Sequence, residues 1–434
     1  MNQKAIPYLE AIIRYIREKP LRFHYPGHKG KLITLDLTEL PQTDNLFSPI
    51  GPLIEAQRLT ALTFGADHSY FLVNGSTQGI QSAFLTIFRP KDKVLISYLS
   101  HRSVMEGLIL SGAEPVFIEE KIDEWGIPQN ITLKEIKDKI DNSIKGILLT
   151  NPNYFGLVPE VKEIVEHAHS KGIPVIVDEA HGIHLNFHKD LPISGLEAGA
   201  DIVIQSMHKM GFSLTQGALI HIKGNRVDKD RLEENILLLS TTSPSTFILA
   251  SIDIGRRELY LNGKKRLDRL LPMIEELKEK IEGLGFCVYR RPNMDKTKLT
   301  LYGIEGNKLS LNLWKRYRIQ SEMSSTTYCL FIISLSDTKR TLKRLLDALK
   351  KIDVYPPGRI DKPPRYRLVQ SPSSAFFSPK ERVKTEDSVG RISGEIITQY
   401  PPGIPLLIPG ALITKDIEEY LLLIGKRYVN VTVD

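Results

Sequence analysis

The sequence predicts an α/β protein built on a large, mostly parallel sheet and followed by a smaller C-terminal α+β domain. Three observations carry this expectation. Short apolar or β-branched runs recur between Gly51 and Gly224; helical apolar spacing fills several of the intervals; and a highly charged helical stretch, Lys264 to Leu284, then changes the character of the chain. The strand-like runs are Tyr70 to Val73, Lys93 to Ser97, Pro115 to Ile118, Ile144 to Thr150, Ile173 to Val177, Asp201 to Gln205 and Ala218 to Ile222. Helical patterns lie at Gln78 to Phe88, Ser103 to Leu110 and Val161 to Ser170. Sheets of this kind gather ligands at the carboxyl ends of their strands, so the polar residues that follow each run share a destination.

The chain divides into an N-terminal segment over 1–50, a large domain over 51–262 and a C-terminal α+β domain over 263–434. A length of 434 residues allows two or three domains, and 41% hydrophobic content supports a sizeable core. The tail carries VYPPGRIDKPPR, SPSSAFFSPKE and QYPPGIPLLIPG, in which apolar residues are interleaved throughout; these read as ordered, proline-stiffened loops rather than a linker.

Composition excludes several classes of function. The net charge of +7 comes from Lys and Arg spread along the whole chain, which argues against a nucleic-acid partner. Apolar runs such as Ile144 to Leu149 fall far short of the ~20 residues that cross a bilayer, so no membrane partner is expected. Met1 to Pro20 mixes charges with apolar residues and shows no signal-peptide pattern, which points to a cytoplasmic protein. Two cysteines, Cys287 and Cys329, make no disulfide framework.

The chemistry is carried by residues at strand ends. Lys209, in Ser206-Met207-His208-Lys209, follows the run ending at Gln205, where desolvation and nearby cations lower an amine's pKa enough for imine formation. Asp178 closes IPVIVD, and a carboxylate there is costly unless something pairs with it. The protonated ring nitrogen of pyridoxal 5'-phosphate (PLP) would serve; an N-cap or structural role is the alternative. VNGSTQGIQSAF reads as strand, glycine turn and helix start, offering an anion the N–H groups around Gly75 and the hydroxyls of Ser76 and Thr77. Ser206 and His208 flank the lysine and can add phosphate contacts. His101, in YLSHRSV, follows another strand and would stack on the cofactor ring, against the plainer role of a helix cap. A rival pattern places Asp178, His181 and His184 three residues apart amid His167, His169 and His188, as a zinc site would. It lacks the helix and the acidic base of an HExxH site, so no metal is expected.

Taken in order, FHYPGHKG, DLTEL, DNLFSPIGPLIEAQ, NGST, SHRSV, DEAHG, SMHK and GRISGEIITQYPPGIPLLIPG make the chain resemble the Orn/Lys/Arg decarboxylases over nearly its full length. The resemblance implies fold type I of the PLP-dependent transferases and decarboxylation of a basic amino acid to a polyamine or its precursor. Arginine is favoured over lysine and ornithine by analogy with compact family members that lack an N-terminal wing domain. It also implies Lys209 as the Schiff-base lysine, Asp178 as the pyridinium partner, His101 as the stacking ring and His181 beside the phenolic oxygen. Ser76, Thr77, Ser206 and His208 become phosphate contacts, and a homodimer or higher homo-oligomer is implied. Glu395, in GRISGE, is the candidate carboxylate for the substrate's distal cation. Ala411 stands where many relatives carry an acidic residue. The DEAHG segment is also similar to α-oxoamine synthases and some aminotransferases, but FHYPGHKG and YPPGIPLLIPG set the chain apart from them. A non-catalytic regulatory homologue is the other alternative, which the joint presence of Lys209 and Asp178 opposes.

Overall fold

Seven strands form the large sheet in the computed structural model, which describes residues 1–360, 363–399 and 403–433. Positions 361–362 of VYPPGRIDKPPR and 400–402 of QYPPGIPLLIPG lie outside the described residues. The strands are β1 His68–Leu72, β2 Lys93–Ser97, β3 Glu114–Ile118, β4 Ile144–Thr150, β5 Val175–Asp178, β6 Ile202–Gln205 and β7 Ala218–Ile222. They lie in the order β1-β7-β6-β5-β4-β2-β3. Strands β2 to β6 are mutually parallel, and β7 runs antiparallel to both β1 and β6. Being covered on both faces, β5 and β6 are buried at every position, and this is why VIVD and IVIQ read as unbroken apolar runs rather than alternating ones. The runs expected at β2, β4 and β7 match the strands residue for residue; the others differ by one or two positions at an end.

Helices Gly75–Ile87, Arg102–Ser111 and Val161–Ser170 cover the sheet where helical spacing placed them. The long helix differs. It spans Thr246–Glu282 and so begins well before Lys264. Its first half is buried on several sides at once, by Leu249, Ile252, Asp253, Arg256 and Leu259, and a helix covered all round loses the amphipathic period that reveals it. There the Arg256 guanidinium pairs with Asp253 at 2.7 Å and donates to the carbonyls of Gln3 and Ala5 at 2.7 and 2.6 Å. Asp253 also accepts from the N–H of Tyr8 at 3.1 Å, so the buried pair fastens the N-terminal helix Pro7–Arg17 to the large domain.

The expected boundary at 262/263 therefore falls within this helix, and the residues after it occupy two places. Strands β8 Cys287–Val288, β9 Lys298–Tyr302, β10 Met323–Ser324 and β11 Tyr328–Ile332 make an antiparallel sheet in the order β10-β11-β9-β8. The helix Lys339–Leu349, with Leu342, Leu345, Leu346 and Leu349 buried, packs with it. The tail adds β12 Lys380–Lys384, β13 Ile397–Thr398, β14 Pro405–Leu407 and β15 Tyr428–Thr432. Its Ile408, Ala411, Ile413 and Val431 share one apolar cluster with Ile80, Phe84, Val104 and Leu108 of the large domain's helices. Among the described residues no helix is long and apolar enough to cross a membrane.

Candidate active site

The parallel strands deliver their carboxyl ends to one edge of the sheet. Asp178, last in β5, lies in register with Thr150 of β4 and Ile204 of β6. Just past β6, Ser206 leads into the single helical turn Met207–Met210 that carries Lys209. A cavity of about 110 Å³ opens at this edge, lined among others by Lys209, Asp178, His181, His101, Ser76 and Tyr154. Ile404 reaches it from the tail, whose Gly403 carbonyl accepts from the N–H of Arg102 at 2.9 Å.

The Lys209 amine lies 3.0 Å from Nε2 of His181. Burial holds the His181 pKa well below that of a free imidazole, helped by the charges of Lys209 and Lys298, so the ring is neutral and Nε2 accepts from the amine. Its other nitrogen, Nδ1, is buried with no hydrogen-bond partner among the described residues. The Tyr154 ring leans on it with centroids 4.5 Å apart. Burial also lowers the Lys209 pKa; Lys298 adds to the shift, whereas Asp178 and Glu322 oppose it. More of the amine is then neutral and nucleophilic near pH 7.

Asp178 is 5% exposed and accepts from the N–H of Ala180 at 3.1 Å. The adjacent Glu179 turns the other way, into the protein. Its carboxyl accepts from Gln205 at 3.1 Å, from the Gly195 N–H at 3.2 Å and from Asn151 at 3.3 Å, and burial pushes its pKa up to about 8. Alternation along the chain thus separates the two acids of DEAH, with Asp178 at the cavity and Glu179 in the interior.

His101 caps the helix Arg102–Ser111, its Nδ1 accepting from the Ser103 N–H at 3.2 Å, and it also lines the cavity. Burial lowers its pKa against the pull of Asp178. Gly75 opens the helix Gly75–Ile87 with φ at +73°, a left-handed conformation that glycine adopts freely, while its N–H donates to the Gln216 carbonyl at 2.9 Å. The next residue, Ser76, accepts from the Ser206 hydroxyl at 3.0 Å, which joins the two proposed halves of an anion cup. Thr77 shares that first turn, and His208 donates from Nδ1 to the Gly217 carbonyl at 3.1 Å; neither lines the cavity.

The structure does not bring Glu395 to this cavity. Its carboxylate accepts from the Asn430 N–H at 2.8 Å and from Lys426 at 3.3 Å, tying the tail together. The histidine cluster also disperses: His184 pairs with Asp295 at 3.1 Å, His169 with Asp201 at 2.8 Å and His188 with Asp268 at 3.1 Å. Among the described residues no three His, Cys, Asp or Glu side chains converge to hold a metal.

Four residues escaped the sequence reading. Tyr154 and Glu120 follow β4 and β3, so the strand-end rule was signal enough to find them. Asn130 lines the same cavity from a loop. Lys298 is fully buried at the start of β9, 3.7 Å from Asp295, and only tertiary structure relates it to Lys209.

Residues 30–300 match the family model described as Orn/Lys/Arg decarboxylase, major domain, and residues 368–428 match the Orn/Lys/Arg decarboxylase C-terminal domain. The chain belongs to the Orn/Lys/Arg decarboxylase family. It is 35% identical to an arginine decarboxylase of Halalkalibacterium halodurans over 458 aligned positions, covering 97% of this chain and 93% of that protein. An arginine decarboxylase of Bacillus subtilis is 34% identical over 97% of this chain and 94% of its own length. The constitutive lysine decarboxylase of Escherichia coli superposes with a TM-score of 0.85 at 21% identity, over 99% of this chain and 82% of that one, which fixes the fold as type I of the PLP-dependent enzymes. Family membership makes the protein an amino-acid decarboxylase.

Proposed function

We propose that the protein is a PLP-dependent decarboxylase of a basic amino acid, with arginine preferred. One observation carries this reading: the Lys209 amine, its pKa lowered by burial, sits 3.0 Å from neutral His181 in the field of Asp178, within a single cavity. The residues present suit PLP. Lys209 would hold its aldehyde and Asp178 its ring nitrogen, His101 would lie on its ring face, and the unpaired, buried Nδ1 of His181 has a hydrogen to offer its phenolic oxygen. Gly75, Ser76 and Thr77 at a helix start, with Ser206 and His208, would hold the phosphate. When bound, PLP supplies an aldehyde that captures the substrate amine and a ring that accepts the electron pair released as carbon dioxide leaves.

The chain's own groups do the rest. Asp178 provides a fixed carboxylate opposite a ring cation. Lys209 would give up its place to the substrate amine, and Lys209 or His101, having taken the proton that the substrate ammonium gives up, would return it to the substrate Cα; burial lowers the pKa of both groups. The preference for arginine rests on the relatives of similar length, and a homodimer is supported by apolar side chains near the N-terminus that one subunit leaves bare.

Purified protein supplied with PLP and offered arginine, lysine and ornithine separately should release carbon dioxide and the matching amine, most readily from arginine. Lys209→Ala should abolish both the reaction and the visible imine absorbance. Failure to form amine from any of the three would end the proposal.

A further inference from the structure

We infer that Glu120, assisted by Asn130, receives the cationic end of the substrate's side chain. This deepens the decarboxylase reading and rests on it. Glu120 lies two residues beyond β3 at the ligand-bearing edge and is only 8% exposed. Its Oε1 accepts from the hydroxyl of Ser97, the last residue of β2, whose oxygen in turn accepts from the Leu99 N–H at 2.9 Å. The other oxygen, Oε2, is buried with no hydrogen-bond partner among the described residues, and so is Oδ1 of Asn130. Both side chains line the cavity that holds Lys209. Two unpaired buried acceptors lining one cavity define what is missing, a group rich in N–H donors and positively charged.

Among the described residues no side-chain cation is hydrogen-bonded to that carboxylate. Arg365 is the arginine near Glu120, yet its Nη2 donates to the Glu120 backbone carbonyl at 3.2 Å, its Nη1 faces Glu119 at 3.8 Å, and its guanidinium lies over the Tyr98 ring at 4.7 Å. Burial pushes the Glu120 pKa up to about 7 in spite of Arg365, as expected of a carboxyl short of a partner. A guanidinium meets the demand well: its planar fork can donate to Glu120 and Asn130 together, whereas an ammonium presents its donors from one point.

The spacing suits a long side chain. From β6, which leads to Lys209, to β3, which leads to Glu120, the sheet order counts four strand steps, roughly 19 Å at the usual interstrand spacing. The Lys209 and Glu120 side chains reach in from the two ends, and an extended three- or four-carbon substrate spans the middle. A short neutral amino acid would leave the Glu120 end unmet.

The test uses the PLP-loaded protein and two readouts. In Glu120→Gln, the KM for arginine should rise about 10- to 100-fold, the range for a charged hydrogen bond lost, while kcat changes less than about threefold and the imine absorbance is retained. Calorimetric binding of n-butylguanidine, which has neither amine nor carboxylate and so cannot react, should weaken at least about tenfold in Glu120→Gln and less in Glu120→Asp. An unchanged arginine KM in a Glu120→Gln protein that keeps its absorbance overturns the assignment and leaves the decarboxylase reading standing. Absence of amine product from the wild type with all three basic amino acids overturns that reading instead. Should Glu120→Gln not fold, Asn130→Ala decides: weaker butylguanidine binding supports the assignment and unchanged binding overturns it.

Discussion

At the residue scale, the active edge is governed by which side chains are held neutral by burial. Desolvation lowers the pKa of both Lys209 and His181, against Asp178 and Glu322 for the lysine and with the help of neighbouring cations for the histidine, and an acceptor nitrogen is thereby kept against the amine. Glu120 follows the same rule with the opposite sign of charge. The Ser97 hydroxyl, the N–H groups of Glu120 itself and of Leu99, and the charge of Arg365 all oppose the burial without cancelling it. Its carboxyl keeps a proton up to about 7, so the form that attracts a cation appears only as pH rises. The KM for arginine should therefore fall between pH 6 and 8 in the wild type, with that segment of the profile flattened in Glu120→Gln. Stability should move the other way. The unfolded carboxyl ionises near its ordinary 4.5 and the folded one near 7, so stability present below 4.5 is lost as pH rises through 7, by about 3 kcal/mol at most. Urea titrations of the ligand-free protein should find Glu120→Gln less sensitive to pH than the wild type between pH 5 and 8. Lys209 and Asp178 were legible because each ends an apolar run within a recognisable motif. Glu120 was not: Glu119 and Glu120 look like one solvated acidic pair, and only burial of the second, beside an exposed first, separates them.

At the element scale, the helix Gly75–Ile87 connects packing to the anion cup. A Cβ on Gly79 would meet Leu72 of β1 and Ile204 of β6, each at 2.9 Å, so glycine is what lets this helix settle on the sheet. Gly79→Ala should cost about 1–3 kcal/mol, as overpacking of a close contact does. Because the displaced helix carries Ser76 in its first turn, PLP affinity should fall along with the thermal midpoint; titrating PLP into the variant while following imine absorbance checks both claims together. This helix was legible from its glycine turn and apolar spacing. Much of Thr246–Glu282 was not, since Asp253 and Arg256 sit inside it as a buried pair, and charged residues on a buried face erase the pattern that periodicity needs.

At the scale of the whole molecule, Leu21, Phe23 and Leu32 are 84%, 88% and 78% exposed in a single subunit, and Ile50 is 89% exposed. Large apolar side chains bared to this extent favour burial against a second copy. Sedimentation equilibrium should report a dimer or larger assembly, and Phe23→Glu should shift it towards monomer; a wild-type monomer at micromolar concentration would sink the homodimer. By itself the sequence determined the order of strands and helices in the large domain, the family, and the residues at the ends of β5 and β6, because strand-end chemistry and apolar runs are local signals. Tertiary structure alone decided that the tail packs on the large domain's helices rather than on the small sheet, that Glu395 is spent on Asn430 and Lys426, and that Glu120 and Asn130 line the same cavity as Lys209. Those relations depend on desolvation and on contacts between residues far apart in the chain, and neither quantity is written in any short stretch of it.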